Sequence, residues 1–574
     1  MPARPPECWT FPRAAFALLL TLTAGPAWAV CPPDGQNFPT LYQDHALFDE
    51  AIRRADSYPP SPSPLSGIAV PHHLLVAHLT ALGFRAASGA RPERIVILSP
   101  DHFRRLGRPF AVALQGFDTV FGPVPADRAG GEALLGALGD RAEASCLFGA
   151  EHGVHSLLPF VRETFPDVPV IAVGIALRSG EADWTALADA LEPLAGENAL
   201  VVQSTDFSHF LPQAQARARD QEVLNLLAAG SPADLADLHQ PDHVDSLGAL
   251  FVQALLQARR GAEAIVVANE NSQTYEEDLV AETTSYMVAL WGFPGRNAPP
   301  AFGAERVYVA GDTFFGRAMP EALADELSAE RVANAVLGVT EGAPLAVNLE
   351  GVILPELPPS LPHLTLAMPA DVAIPWLKRL NVRGVSLANN HALDLGPAGL
   401  AETRAALAAS GIPAVGQGEV LSFGKLDLVA LTDLDTNADP QTELLTPSVL
   451  DALLREGADR AVAGFVHWGR EWVTEPSARE EWLIAEMERR GVAVVAGAHP
   501  HRAAEDLLLR AGGRTAVAYS LGNFLFDQTT TRGASGALLE LTVFPQGTVF
   551  SRLRPLPNLF DLARARRAGV PEAD

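Results

Sequence analysis

Short, continuously apolar runs recur along this chain, and each is followed at once by a small group of polar residues. In the second half the runs are RVYVA, APLAV, VRGVSLA, AVAGFV, VAVVA and TAVAY. Their shortness and their content of Val and Ala predict strands that are buried on both faces. Ligands of an α/β sheet collect at the carboxyl ends of its strands. The polar groups after these runs are therefore expected to meet at one edge of a sheet.

The polar groups are rich in residues that bind metal ions. Six motifs follow in order: GDTFFGR from Gly311, NLEG from Asn348, NNHALDLG from Asn389, HWGREW from His467, GAHPH from Gly497 and SLGNFLFD from Ser520. Carboxylates, amide oxygens and imidazoles suit Zn, Mn or Fe, and two such ions can activate water for attack on a phosphoryl group. Taken singly, each motif also fits a turn or a helix cap. Their order and their common position after strands favour a metal site.

A similar pattern fills the first half. Its apolar runs are GIAV, RIVIL, VPVIAVGIA, ALVVQS, AEAIVVA and TSYMVAL, with helical segments between them. The motifs PHH, SPDHF, EHGVHSLLPF and STDFSHF carry a second set of histidines after apolar runs. The alternation of strand and helix patterns over this length predicts two α/β domains.

Composition indicates where the segments begin and end. Residues 1–29 combine arginines, the apolar run AAFALLLTLTA and the small-residue site AWA, as a cleaved secretory signal does. The predicted segments are this signal peptide, a Pro/Ser-rich lead-in at 30–65, a first domain at 66–292, a linker at 293–304, a second domain at 305–554 and a basic tail at 555–574.

Charge and cysteine content restrict the partners and the compartment. A net charge of −26 over 574 residues argues against nucleic acid or an anionic membrane surface as the main partner. No run after the signal is long enough to span a membrane. The chain is expected to be exported, to the periplasm or the extracellular space, after cleavage near Ala29. Cys31 and Cys146 could pair there or stay unpaired, and the sequence leaves the oligomeric state open.

The six motifs of the second half resemble those of the calcineurin-like metallophosphoesterases, and among them the CapA group of capsule and poly-γ-glutamate synthesis proteins. The resemblance spans Arg306 to Asp527 and implies a calcineurin-like α/β sandwich. The metal ligands that it implies are Asp312 and His501 for a first ion, Glu350 as the bridging carboxylate, and Asn390, His467 and His499 for a second ion.

The same resemblance implies a general acid beside the metals. His391 would face the leaving group, Asp394 would orient it, and Asn389, Asn523 and Asp527 would support the site. One position departs from the family: Phe314 stands where these enzymes have a histidine ligand of the first ion. Full occupancy by two ions is therefore an open question.

The motifs of the first half resemble the Memo family, also called AmmeMemoRadiSam system protein B, whose fold is related to class III extradiol dioxygenases. The resemblance spans about His72 to Trp291. It implies a pocket whose members are His72, His102, Asp206 and His209, with Glu151 and His152 in its wall. The family's pocket cysteine is missing, and the corresponding stretch HVDSLGAL offers Asp245 and Ser246.

Two readings of this first site are open. Asp245 could complete a two-histidine, one-carboxylate site for Fe or Cu, or the domain keeps packed histidines and binds no metal. The arginines at 104, 105 and 108 follow the SPDHF motif. They form either a solvated loop or a rim that holds an anion.

The two resemblances imply an exported two-domain protein with a metal-dependent hydrolase of the phosphoesterase type. Its partner would be an extracellular polymer such as poly-γ-glutamate, or a small phosphoester. One alternative is a scaffold that binds metal or polymer without turnover, which Phe314 and the missing cysteine favour. Another is a redox enzyme that uses Fe or Cu in the first domain.

Overall fold

The computed structural model of the protein describes residues 31–276, 282–292, 299–435, 444–454, 460–509 and 513–565. The predicted signal peptide, part of the predicted linker and the end of the predicted tail lie outside these ranges. The described residues form two α/β domains, which confirms the predicted fold class. None of the helices in these ranges combines the length and the apolar character that crossing a bilayer requires.

The first domain is built on one mixed sheet. Its strands are β1 Gly67–Val70, β2 Arg94–Pro100, β3 Phe110–Val112, β4 Phe117–Thr119, β5 Gly122–Val124, β6 Ala142–Ala144, β7 Val170–Ile175, β8 Ala199–Ser204, β9 His209–Leu211, β10 Glu263–Asn271 and β11 Thr283–Gly292. The order is β10-β11-β1-β8-β2-β7-β3-β6, with β9 on β11 and with β4 and β5 as a separate hairpin. Strands β1, β8, β2 and β7 are parallel neighbours, so their carboxyl ends share one edge.

Helices cover both faces of this sheet. They are α1 His45–Ala55, α2 Ala77–Ala87, α3 Arg128–Leu138, α4 His152–His155, α5 Leu158–Thr164, α6 Glu181–Leu191, α7 Gln213–Ala229, α8 Pro232–Leu235 and α9 Leu247–Arg259. Helices α1, α2 and α5 pack in one core, and α3, α6, α7 and α9 in the other. Helix α1 falls in the predicted lead-in, where Asp44 caps it and Phe48 is buried.

The second domain has two sheets. Its strands are β12 Glu305–Thr313, β13 Leu345–Leu349, β14 Val352–Leu354, β15 Ala367–Pro369, β16 Val382–Ser386, β17 Ala414–Val415, β18 Val420–Phe423, β19 Leu426–Thr432, β20 Ala461–His467, β21 Val494–Ala498, β22 Leu508–Leu509, β23 Ala516–Ala518, β24 Asn523–Leu525, β25 Gly536–Val543 and β26 Val549–Leu556. The sheet orders are β17-β16-β13-β12-β25-β26, with β24 on β12, and β18-β19-β20-β21-β23-β22. Val309, Leu428 and Phe465 belong to one core that both sheets share, so the sheets form a sandwich.

Helices pack on the outer face of each sheet. They are α10 Met319–Ala322, α11 Glu326–Thr340, α12 Ala370–Arg379, α13 Gly396–Ala409, α14 Pro447–Leu450, α15 Ala478–Arg489 and α16 Leu559–Arg564. Helix α16 lies within the predicted tail, yet it buries Leu559 and Phe560 in the core that also contains α11. Apolar side chains close to the chain end thus belong to the folded domain.

Helix α7 joins the two domains through buried polar contacts. The Gln221 side chain donates to the Val549 carbonyl at 2.7 Å and accepts from the Val549 N–H at 2.9 Å, as a neighbouring strand would. Asn225 Nδ2 donates to three carbonyl oxygens of the second domain, at 2.9 to 3.3 Å. Through these contacts, side chains of α7 provide hydrogen-bond partners for backbone groups of β26 and of nearby loops.

Candidate metal centres

Asp312, Glu350 and His467 form the centre of a buried cluster in the second domain. Asp312 lies near the end of β12, Glu350 directly follows β13, and His467 is the last residue of β20. Because β20 belongs to the other sheet, the cluster lies where the strand ends of both sheets meet. The ligand atoms of the three side chains are all within 4.8 Å of one another. Two carboxylates and an imidazole at this spacing can hold a divalent cation.

The other implied ligands surround this centre. His467 Nε2 lies 2.9 Å from Asn390 Oδ1, and the His467 and His499 rings are 4.8 Å apart. His501 Nδ1 lies 3.1 Å from Asp312 Oδ2 and 2.8 Å from Asn523 Oδ1. The structure therefore brings together all six residues that the phosphoesterase resemblance implies as ligands, with Asn523 behind them.

The loop after β21 is held in an unusual backbone conformation. The backbone angle φ is 98° at His499 and 58° at His501, values that residues other than glycine rarely adopt. The His499 N–H donates to both carboxylate oxygens of Asp312 at 3.1 Å, which fixes the loop against β12. Such strain persists where the surroundings enforce it, and it is concentrated at functional sites.

Burial and mutual charge set the protonation of the carboxyl groups. Burial would raise the pKa of Asp312, but the hydrogen bond and charge of His501 lower it well below its usual range. Burial and the charge of Asp312 raise the pKa of Glu350 well above its usual value. Two buried carboxyl groups this close do not both ionise unless a cation neutralises them. The donor set therefore fits a bound metal ion.

The two histidines on the other side of the cluster are neutral. Burial lowers the pKa of His467 well below its usual value and that of His499 to about 3, and the charges of neighbouring histidines act in the same direction. For His501, burial would lower the pKa, but Asp312 raises it. Neutral imidazole is the form that binds metal, so His467 and His499 are ready as ligands at pH 7.

Asn348 is a central residue that the sequence reasoning did not single out. Its Nδ2 lies 3.0 Å from Asp312 Oδ1, 3.4 Å from Glu350 Oε1 and 3.1 Å from His467 Nδ1. Asn389 donates to the Asn348 side-chain oxygen at 3.1 Å and so fixes its orientation. The signal was present in the NLEG motif, whose Asn precedes the carboxylate at the end of the same strand.

His391 lies beside the cluster with an acidic partner of its own. Its Nδ1 is 2.9 Å from Asp394 Oδ2, and that same oxygen accepts the Leu366 N–H at 2.7 Å. Asn389 accepts the His391 N–H at 3.1 Å. These contacts orient the imidazole and leave its Nε2 without a hydrogen bond to any described residue.

The position of the missing ligand is filled by an aromatic and cationic stack. Phe314 is fully buried, with its ring centroid 5.5 Å from that of Phe526. The Arg317 guanidinium lies over both rings, at 5.1 and 5.4 Å, and pairs with Asp527. Asp527, expected in a supporting role, thus holds Arg317. The first metal position lacks a ligand from residue 314.

A second cluster lies at the strand ends of the first domain. His72 Nε2 and His102 Nε2 are 3.1 Å apart, and Asp245 Oδ2 lies 3.2 Å from the first and 3.6 Å from the second. Asp245 Oδ2 is buried, and no group in the described part of the chain donates a well-oriented hydrogen bond to it. An orphaned carboxylate oxygen facing two imidazole nitrogens fits a metal ion bound between them.

The other expected residues of this pocket take different places. His152 joins His72 and His102 in a group whose ligand atoms lie within 4.8 Å of one another. Asp206 accepts the His72 N–H at 3.2 Å, and its other oxygen lies 3.6 Å from His72 Nε2. His209 lines the cavity outside the His group, with its Nδ1 bonded to the Phe207 carbonyl at 2.5 Å. His152, expected in the wall, is thus closer to the centre than His209.

Nearby carboxylates raise the pKa of two histidines in this cluster. Burial would lower the pKa of His102, but the close negatively charged carboxylates of Asp245 and Glu151 raise it to about 10. Burial would also lower the pKa of His72, and the charges of Asp206 and Asp245 raise it. Glu151 Oε1 lies 2.6 Å from His102 Nδ1, the arrangement by which a carboxylate orients a metal-binding histidine.

Each half of the chain matches a known protein family. Residues 43–288 match the family model described as Memo-like protein, and residues 306–423 and 434–528 match the one described as Bacterial capsule synthesis protein PGA_cap. The chain joins a Memo-like domain to a PGA_cap domain. The family resemblances inferred from the motifs are confirmed, and each of the two clusters lies within one of these domains.

Individual relatives match one domain each. The PGA_cap domain is 30% identical over 205 residues to the PGA biosynthesis protein CapA of Bacillus subtilis, a match that covers 31% of this chain and 52% of that protein. The capsule biosynthesis protein CapA of Bacillus anthracis is also 30% identical, in a match that covers 30% of this chain and 47% of that protein. The chain thus spans about half the length of these relatives.

The Memo-like domain has relatives of its own. It is 29% identical to a MEMO1 family protein of Methanopyrus kandleri, over 33% of this chain and 68% of that protein. Among solved structures, a crystal structure of an uncharacterized protein from Escherichia coli K12 is similar to a part of the whole chain, covering 39% of this chain and 99% of its own at 17% identity and a TM-score of 0.31.

Proposed function

We propose that the PGA_cap domain is a metal-dependent hydrolase of the phosphoesterase type. The observation that carries this proposal is the convergence of Asp312, Glu350 and His467 within 4.8 Å, with the neutral imidazole of His499 beside them. A buried pair of carboxyl groups has little structural purpose by itself, because it costs stability unless a cation compensates the charge. The residues of the domain therefore favour a bound ion, of Mn, Zn or Fe.

The chemistry follows from the placement of the protein groups. When bound, a divalent cation supplies a Lewis acid and lowers the pKa of a water molecule. The residues that would hold it are Asp312, Glu350, Asn390, His467 and His499. His391, oriented by Asp394, would donate a proton to the departing oxygen or nitrogen of the substrate.

We propose further that the protein is exported and acts on an extracellular polymer or a small phosphoester. The bond between Cys31 and Cys146 supports export, because disulfides form and persist in oxidising compartments. The capsule-related names of the CapA relatives support a polymer such as poly-γ-glutamate as the substrate. A phosphodiester and a γ-glutamyl bond make different demands on His391, so both belong in a substrate screen.

Activity assays on the full chain test the hydrolase. With added Mn²⁺ or Zn²⁺, we expect turnover of bis(p-nitrophenyl) phosphate or cleavage of poly-γ-glutamate, lost in His467→Ala. The matched control is His363→Ala, which changes an exposed histidine outside the cluster. If metal binds and neither substrate class is turned over, the result contradicts the hydrolase proposal and supports the alternative of a metal-binding scaffold.

A second candidate function concerns the Memo-like domain. The orphaned Asp245 oxygen favours a bound Fe or Cu ion held with His72 and His102, the donor set of metal-dependent redox enzymes. Metal analysis of Asp245→Ala tests it, with Asp242→Ala as the control on the same loop. Loss of Fe or Cu in the first variant alone is expected. Equal metal content in both variants would favour a domain of packed histidines without metal.

A further inference from the structure

A cavity of about 810 Å³ opens above the histidine cluster of the Memo-like domain. His72, His102 and Asp245 form its deep end, while Arg104 and Arg178 lie on its exposed rim. The volume suits a small organic molecule. The cavity thus has residues of metal-binding type at its deep end and two arginines at its rim.

The two rim arginines have no side-chain partner among the described residues. In the described part of the chain, no carboxylate lies within 4.0 Å of either guanidinium, and no hydrogen bond from either is formed. Some other arginines of this domain are paired with carboxylates: Arg94 lies 2.9 Å from Asp127, and Arg108 lies 3.7 Å from Asp140. The chain has 68 acidic residues against 42 basic ones, so acidic partners are plentiful. Two unpaired guanidiniums on one rim leave room for an external anion.

The fold fixes the loops that present these arginines. Strands β2 and β7 are parallel neighbours, and Arg104 and Arg178 follow their carboxyl ends. Asp101 accepts the Leu106 N–H at 2.9 Å, and Arg104 adopts φ of 51° in the turn between them. On the other loop, Gln240 donates to the Leu177 carbonyl at 2.6 Å. Both cations are therefore held at the same edge of the sheet.

An exposed aromatic ring completes the rim. Phe210 lines the cavity, is 64% exposed and adopts φ of 59°. Covering a phenyl ring that is so exposed to water with an apolar surface lowers the free energy of the system. Its unfavourable backbone conformation is of a kind that is concentrated at functional sites. Leu74 and Leu177 add apolar lining to the same cavity.

We propose that this cavity binds a small organic anion, whose carboxylate or phosphate is held by Arg104 and Arg178 and whose apolar body packs on Phe210. Charge-assisted hydrogen bonds to guanidinium are the strong form of such recognition. This binding site is independent of the hydrolase proposed for the other domain, and it needs no metal at the floor.

Calorimetric titration of the full chain tests the site, in buffer with EDTA so that carboxylate binding to a metal is excluded. The probes are benzoate, phenyl phosphate and the neutral benzyl alcohol. We expect saturable binding of at least one anion, at least tenfold tighter than binding of benzyl alcohol. The tighter of the two anions identifies the charged group that the rim prefers.

Variants separate the rim from general charge effects. Arg104→Gln and Arg178→Gln should each weaken the preferred anion about tenfold, whereas Arg105→Gln, which removes a neighbouring arginine that stacks on Phe103, should leave its affinity unchanged. Phe210→Ala should weaken the aromatic anion while Phe103→Ala does not. The proposal is overturned if neither anion saturates the wild-type protein, if benzyl alcohol binds as tightly, or if the Arg105 variant loses as much affinity as the rim variants.

Discussion

At the scale of single residues, the contact between His391 and Asp394 separates proton donation from metal binding. His391 touches Asp394 and Asn389 rather than the buried carboxylates, so its loss should leave the metal cluster intact. We expect His391→Asn to keep its metal but to slow the hydrolysis of esters with poor leaving groups by ~10²–10⁴-fold. Rates for p-nitrophenyl and for alkyl esters measure this difference. Equal slowing of both would exclude His391 as the acid.

A second residue-scale prediction concerns pH and stability at His78. This residue is 4% exposed, its Nε2 lies 3.1 Å from the Tyr275 hydroxyl, and burial with the charge of Arg54 lowers its pKa to about 4. The unfolded chain binds a proton at His78 below pH 6.5, and the folded chain does so only near pH 4. The stability that neutral His78 contributes is therefore present above pH 6.5 and is lost as pH falls toward 4.

The expected size of this effect at pH 5 is about 2 kcal/mol. Urea unfolding at pH 7 and pH 5 measures it. His78→Gln should lose less stability over this interval than the wild-type protein by that amount, and His363→Gln, at an exposed site, should behave like the wild type. Parallel losses in all three proteins would show that His78 is not the group that titrates.

At the scale of elements, helix α7 is expected to hold the two domains together. Asn225 Nδ2 donates to the carbonyls of Ala493, Gly513 and Arg514, and the residue is fully buried. Asn225→Ala leaves these buried oxygens without that donor, so the free energy of unfolding should fall by roughly 1–3 kcal/mol.

Urea unfolding measures this change as well. The control is Asn198→Ala, which removes an exposed hydrogen bond to Glu93 and should cost less than about 0.5 kcal/mol. If the two variants are equally stable, the contacts of α7 with the second domain do not contribute as the structure indicates.

The elements that the sequence predicted are those with continuous apolar runs. Each of the twelve runs quoted above corresponds to a strand, because a strand buried on both faces leaves an unmistakable pattern. Helices α1 and α16 were missed because Pro/Ser-rich and basic surroundings obscure their few apolar residues. Short strands such as β3, β6 and β22 are two or three residues long and carry no periodicity of their own.

The site was predictable to the extent that strand ends determine it. Asp312 and Glu350 meet because β12 and β13 are parallel neighbours whose ends share an edge, as the motif positions implied, and His467 reaches them from the strand ends of the other sheet. The NLEG motif included Asn348, but its central position and the exchange of His209 for His152 were not predictable, since side-chain direction within a strand or loop depends on packing. The stack of Arg317 on Phe314 likewise needs Phe526, which is distant in sequence.

At the scale of the whole molecule, the disulfide between Cys31 and Cys146 closes a separation of 115 residues. It ties the segment before α1 to the loop that leads into α4. Protein from an oxidising compartment that has lost Cys8 with the predicted signal peptide should therefore show no alkylatable thiol before reduction, and Cys146→Ser should show one. The variant should lose roughly 2–4 kcal/mol of stability. Two reactive thiols in the wild-type protein would argue against both the bond and export.

The two domains carry separate metal-type clusters in one chain, so metal content must be assigned to each cluster by variants of the full protein. Mass spectrometry of protein purified without chelating resin, for the wild type, His499→Ala and Asp245→Ala, tests the central claim most directly. We predict at least one Mn, Zn or Fe ion per chain that His499→Ala loses and Asp245→Ala retains. A wild-type protein that holds no such ion and takes up none when it is added, or unchanged metal content in His499→Ala, would contradict the account.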